Sequence, residues 1–191
     1  MITAGEFETI LTKPHYCGEK TKLRRIKMNT RYSVRGLIYG GAIAALYVAL
    51  TFVSAQLGLS SGVIQLRLSE ALCILPIFTP AAIPGLAIGC MLANAMTGGV
   101  ILDIILGSAA TLIGAVGTRL LRSRPVLSVI PPILANAFIV PFVLRYGYGM
   151  PDAVWYMFIT VGAGELLSAG VLGMLLYRAI RRQAGEIFRH N

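Results

Sequence analysis

Residues 36–118 read GLIYGGAIAALYVALTFVSAQLGLSSGVIQLRLSEALCILPIFTPAAIPGLAIGCMLANAMTGGVILDIILGSAATLIGAVGT and carry three charged side chains, Arg67, Glu70 and Asp103. A water-soluble domain charges roughly a quarter of its residues, so the solvent of this stretch is lipid. A charge at the bilayer centre costs about 2.5–3.5 kcal/mol or more. Each of the three must therefore be compensated, and an intramembrane ionisable group is a functional candidate by default.

The rest of the chain agrees. Of its 191 residues, 56% are hydrophobic and 21 are glycine, and the mean hydropathy is +0.74. Glycine at that level suits transmembrane helices, whose backbones approach closely at small residues. A helix needs roughly 20 apolar residues to cross the hydrocarbon core. On that ruler the sequence predicts an all-α integral membrane protein of six spans, near 36–58, 66–79, 81–97, 100–121, 126–144 and 153–177. The second and third are short, and Pro76, Pro80 and Pro84 favour a turn at Thr79-Pro80 over one long span.

Basic residues orient the bundle. Eight of the 17 Lys and Arg residues precede Gly36, Arg119, Arg122 and Arg124 flank the fourth-to-fifth connection, and Arg178, Arg181, Arg182 and Arg189 follow the last span. With six spans these groups share one side, which the positive-inside rule makes cytoplasmic, both termini included. The net charge of +9 is thus a topology signal, with nucleic-acid binding a poor second reading. The expected divisions are a polar basic tail over 1–32, whose first 27 residues lack helical periodicity; a membrane domain over 33–182; and a cytoplasmic tail over 183–191. Met28, just ahead of the basic flank of span one, reads as the natural start, the alternative being that the preceding residues are a disordered cytoplasmic tail.

On this frame the intramembrane polar groups gather at or above the midplane. Arg67 and Glu70 lie at the outer mouth of span two, Asn94 near the outer end of span three and Asp103 near the outer start of span four. Asn136 is midway up span five. Glu165 lies about 12 residues into span six, roughly 18 Å below its outer end at 1.5 Å per residue. Such a distribution describes a pocket between helices that opens outward, lined by a few convergent polar groups. Each has a plainer alternative. Glu165 could pair with another helix, Asn94 and Asn136 could be interhelical glue, Arg67 and Glu70 could satisfy each other at i, i+3, and Asp103 could answer a helix dipole. Trp155, Tyr146 and Tyr148 fit an interfacial aromatic belt.

Span one carries a stripe of small residues, Gly41, Ala45 and Ala49, with Ala42 alongside. It serves either packing within the bundle or docking to a separate membrane subunit. Cys17, Cys73 and Cys90 show no metal-ligand spacing, and Cys73 and Cys90 read as buried small hydrophobes. No phosphate-binding G-x-x-x-x-G-K-[ST] loop is present, no catalytic constellation sits in the membrane, and no strong internal repeat suggests a transporter of inverted halves. The sequence thus points to a capture subunit without an engine, a transport protein and not an enzyme, with no cofactor or metal.

The stretch VIQLRLSEALCILPIFTPAAIPGLAIGCMLANAMTGG, Val63 to Gly99, resembles the queuosine-precursor substrate-binding (S) components of energy-coupling factor transporters, the QueT family. The resemblance continues through LDIILGSAATLIGA, Leu102 to Ala115, ILANAFIVPFVLRYGYG, Ile133 to Gly149, and VGAGELLSAGVLG, Val161 to Gly173. Arg-Leu-Ser-Glu-Ala-Leu at 67–72 and Thr-Pro-Ala-Ala-Ile-Pro-Gly at 79–85 are its specific parts. It implies a six-helix S component in the cell membrane that captures substrate on the outer face. The implied partners are a transmembrane coupling subunit and two ABC ATPases. It also implies that the small-residue face of span one, Gly41, Ala42, Ala45 and Ala49, docks to that coupling subunit.

The implied substrate is a 7-deazaguanine precursor of queuosine. A guanine-like edge offers two adjacent N–H donors to one carboxylate, a role that suits Glu165. The neighbouring carbonyl needs a donor, Asn136 first and Arg67 second. An aminomethyl group would meet Asp103 or Glu70, and Tyr148, Trp155 or Phe158 could wall the ring face. Asn94 completes the candidate set. The alternatives are an S component for a different vitamin-like substrate or a stand-alone small secondary transporter.

Overall fold

The computed structural model describes residues 16–59 and 65–183, with side chains from residue 34 onward in the first stretch. Expectations for residues 1–15 and 184–191 lie outside the described residues. The chain divides into two compact units, Met1–Arg35 and Gly36–Asn191. In the first, the chain is helical from Tyr16, inside the segment expected to lack helical periodicity. Glu19, Lys20, Lys22, Arg24, Arg25 and Lys27 explain the difference: they are good helix formers, and a helix that is polar all round shows no apolar stripe.

All described secondary structure is helical. Helix α1 spans Tyr16–Gln56, followed by a 3-10 helix, η1, at Leu68–Ile77 and by α2 at Ala82–Met96. A π turn at Asp103–Gly107 runs into α3, Ser108–Leu120. Helix α4 covers Ile130–Tyr146, with proline in its first turn where the missing N–H costs nothing. Helix α5, Val154–Glu165, continues through a second π turn, Leu166–Leu172, into α6, Gly173–Ile180.

Six helical traverses thus form the all-α membrane domain expected from sequence. Four are long and apolar enough to cross a bilayer: Val34–Gln56, Asp103–Leu120, Leu127–Tyr146 and Val154–Ile180. The other two are η1 and α2, broken apart at Thr79-Pro80 as the prolines require. At about 2.0 Å rise per residue, the ten residues of η1 span about 20 Å, short of the 30 Å hydrocarbon core. Their outward faces carry large apolar side chains, including Leu37, Ile101, Leu120 and Trp155, as a lipid-facing surface does. This is a multi-pass membrane protein.

Element η1 is central because seven of its ten residues are buried. Ser69, Glu70, Leu72, Cys73, Ile74, Leu75 and Pro76 are all buried. Leu72, Cys73 and Leu75 join Ile43, Tyr47, Leu86, Cys90 and Ala115 in one core, while Val140, Leu144, Met157 and Val161 form a second between α4 and α5. The α1–α2 seam is built on glycine. A Cβ at Gly85 would lie 2.6 Å from the Gly40 carbonyl oxygen, and one at Gly89 would lie 2.9 Å from the Tyr47 Cβ, so any larger residue there would part the helices. The seam therefore uses Gly40 and Ala44, and it leaves Gly41, Ala42, Ala45 and Ala49 exposed.

Candidate functional site

Glu70, 2% exposed at the head of η1, is surrounded by donors. The Tyr47 hydroxyl donates to Glu70 Oε1. The Cys73 thiol donates to Oε2 at 3.1 Å, and Asn136 Nδ2 reaches the same oxygen at 3.4 Å. Cys73 is buried as expected, yet its thiol is a hydrogen-bond donor and not merely filler. Behind them, the Thr51 hydroxyl donates to Ser69 Oγ at 2.9 Å. Glu70 is thus a satisfied carboxylate that ties α1, η1 and α4 together.

Glu165 faces the same space in a different condition. It is 7% exposed, and among the described residues its Oε2 is buried without a partner, as is the Ser168 hydroxyl one turn on. A buried acceptor left unmade costs about 1–3 kcal/mol, more if charged. Glu165 is the last residue of α5 before the second π turn, and Asp103 is the first residue of the other. π turns re-aim side chains and recur at functional sites. Glu165, Glu70, Asn136, Arg67, Thr111 and Cys90 line a chamber of about 10 Å³, with Val140 and Val161 as its apolar wall. That volume holds roughly one water.

A second cluster lies next to it. Arg67 pairs with Asp103 at 3.8 Å and donates to Asn94 Oδ1 at 3.4 Å. Asn94 Nδ2 donates to the Asp103 carbonyl at 3.1 Å, and the Tyr148 hydroxyl donates to Asp103 Oδ2 at 2.9 Å. Burial, and then the Asp103 carboxylate, push the Tyr148 phenol up, which keeps it a donor. These residues line a cavity of about 310 Å³ together with Thr51, Gln65 and Thr97. A third cavity, about 150 Å³, lies beside it and is lined by Gln65, Asp152, Tyr156 and Thr160 among others.

The expected Arg67–Glu70 pair does not form. Arg67 precedes η1 with extended backbone, φ −106° and ψ 107°, so the helical i, i+3 geometry does not apply and its side chain leaves toward Asp103. Seven of the nine sequence candidates, Arg67, Glu70, Asn94, Asp103, Asn136, Tyr148 and Glu165, line the chamber or the larger cavity. Trp155 and Phe158 line neither. On α5 the inward stripe is Met157, Val161, Gly164 and Glu165; Trp155 is 69% exposed, and Phe158 packs edge-on against Phe138 at 4.7 Å.

The structure adds residues that the sequence reading passed over. Tyr47 and Thr111 look like ordinary span residues, and only packing turns their hydroxyls inward. Gln65 lies in the connection ahead of η1, where a polar residue raises no alarm. Among the described residues Arg67 is the one cation facing three carboxyl groups, Glu70, Asp103 and Glu165, around the two spaces. Such a site offers acceptors in excess, and it suits a small ligand rich in N–H donors or bearing positive charge.

Neither a curated protein nor a solved structure matches the chain. A family model described as QueT transporter matches residues 37–182, which cover every residue of the chamber and of the larger cavity. The chain therefore belongs to the QueT transporter family.

Proposed function

We propose that this transporter is the substrate-binding component of an energy-coupling factor system, capturing a 7-deazaguanine queuosine precursor on the outer face of the cell membrane. The observation that carries the reading is the buried, unpartnered Glu165 Oε2 in a chamber that also holds Arg67, Asn136 and an apolar wall of Val140 and Val161. A lactam-type ring edge brings two adjacent N–H donors and a carbonyl. The donors meet Glu165, which requires the one-water chamber to open into the cavity of about 310 Å³ that shares Gln65 and Arg67 with it. Asn136 already gives its amide to Glu70, so Arg67 becomes the donor for the carbonyl. An aminomethyl substituent would meet Asp103 in the larger cavity.

Orientation follows from charge. The connections that supply Gln65, Thr97 and Tyr148 share the end opposite the basic link Arg122 to Arg124, which the positive-inside rule places in the cytoplasm with both termini. The exposed face of α1 at Gly41, Ala42, Ala45 and Ala49 suits a transmembrane coupling subunit, which would join the chain to two ABC ATPases. The test is uptake of labelled 7-aminomethyl-7-deazaguanine into proteoliposomes. The chain alone should bind without accumulating, and accumulation should need the coupling module and ATP. Accumulation by the chain alone would make it a stand-alone secondary transporter.

A further inference from the structure

Three cavities meet at the same end of the bundle, and Gln65 lines all of them: the chamber of about 10 Å³, the cavity of about 310 Å³ and the cavity of about 150 Å³. Its carboxamide makes no hydrogen bond among the described residues. Its backbone, by contrast, is fixed. The Gln65 carbonyl lies so close to Gly164 that a Cβ on residue 164 could not be built without collision, and Gly164 is the immediate neighbour of Glu165. The next amide, Leu66 N–H, donates to the Leu59 carbonyl at 2.9 Å. A pinned backbone with an uncommitted donor–acceptor side chain, held beside an unpartnered carboxylate, has the form of a recognition group.

We infer that Gln65 is a specificity-determining residue that reads the ring edge left over by Glu165 and Arg67. The inference rests on the deazaguanine reading above and assigns its last unassigned edge. Once Glu165 takes the two N–H donors and Arg67 the carbonyl, two ring positions remain, the N3 acceptor and the adjacent N9–H donor. A carboxamide offers a donor and an acceptor side by side and pairs with both. N9 carries its hydrogen only in the free base; in a nucleoside it carries a sugar. In a nucleoside the N9 hydrogen bond is lost and the sugar displaces the half-buried Gln65 carboxamide. A site built to hydrogen-bond an N–H discriminates against an analogue that lacks it. Gln65 therefore selects the free base over the nucleoside.

The test is isothermal titration calorimetry of the purified full chain with 7-aminomethyl-7-deazaguanine and with its N9 ribonucleoside. The wild type should bind the base at least tenfold more tightly. Gln65→Leu should weaken base binding at least tenfold and leave nucleoside binding nearly unchanged, so that the preference collapses. Gln65→Glu keeps the size of the side chain but sets an acceptor against N3, and it should also weaken base binding; unligated melting temperatures of both variants should match the wild type. Base affinity within twofold of wild type in both variants overturns the inference, as does a wild type that binds nucleoside as tightly as base. A wild type that binds neither compound overturns the deazaguanine reading and the inference with it.

Discussion

Glu165→Gln separates a recognition carboxylate from a structural one. Among the described residues Glu165 Oε2 has no partner, so replacing the carboxylate by an isosteric amide removes little that holds the fold together. The amide leaves an unpaired buried group of the same size in the same place, so the unmet cost of about 1–3 kcal/mol changes little. In the complex the same change is damaging. Two ligand N–H donors facing one carboxylate make charge-assisted hydrogen bonds, each about 1.5–3 kcal/mol. The amide keeps one acceptor and turns an N–H₂ donor toward the other N–H. One charged bond is lost and two donors are opposed, a loss of about 2–4 kcal/mol. Since about 1.4 kcal/mol is tenfold in affinity, binding should weaken by roughly 30- to 1,000-fold. Calorimetry with 7-aminomethyl-7-deazaguanine gives the affinity, and thermal unfolding without ligand gives the stability. The expected pattern is a large loss of binding with an unligated melting temperature close to wild type. Unchanged affinity, or a collapse in unligated stability, would refute the assignment.

Glu70→Gln should behave in the opposite way, because Glu70 accepts from Tyr47, Cys73 and Asn136: a destabilisation of about 1–3 kcal/mol, read as a lowered melting temperature without ligand. Gly164→Ala places a Cβ against the Gln65 backbone, and overpacking of this kind costs about 1–3 kcal/mol. Displacing both Gln65 and Glu165, it should lower the melting temperature and ligand affinity together, and a change in neither would mean that the contact is slack. Ala45→Trp, on the exposed face of α1, should abolish uptake in the reconstituted system while calorimetric binding stays at the wild-type value. Normal uptake by that variant would place the docking surface elsewhere.

The fold was legible because lipid leaves so few options. A stretch with three charges had to be membrane helices, and Pro76, Pro80 and Pro84 marked where the short pair η1 and α2 would break. The same cost argument exposed Glu70, Asp103, Asn136 and Glu165, since a polar group in an apolar span draws attention to itself. It was blind to groups whose polarity emerges only on packing. Tyr47 is an ordinary residue of an apolar helix until its hydroxyl meets Glu70, and Gln65 is an ordinary loop residue until Gly164 fixes its backbone. The pairing of Arg67 is not legible in the spacing, because the i, i+3 rule holds only within a helix and the Arg67 backbone is extended. Trp155 and Phe158 were drawn in by chemistry alone. Their angular positions on α5, set by the register of Met157 and Val161, turn them away from both spaces. Both π turns were invisible, for they answer to tertiary packing and leave no mark on composition.

The most direct measurement is equilibrium binding by the purified wild-type chain of 7-cyano- and 7-aminomethyl-7-deazaguanine against riboflavin, thiamine and biotin. The chamber's unpartnered carboxylate, its single arginine and its valine wall call for a flat ring with an N–H-rich edge, so at least one deazaguanine should bind with an affinity at least a hundredfold above that of any of the three vitamins. Binding of a vitamin at equal or greater strength, with neither deazaguanine retained, would contradict the account.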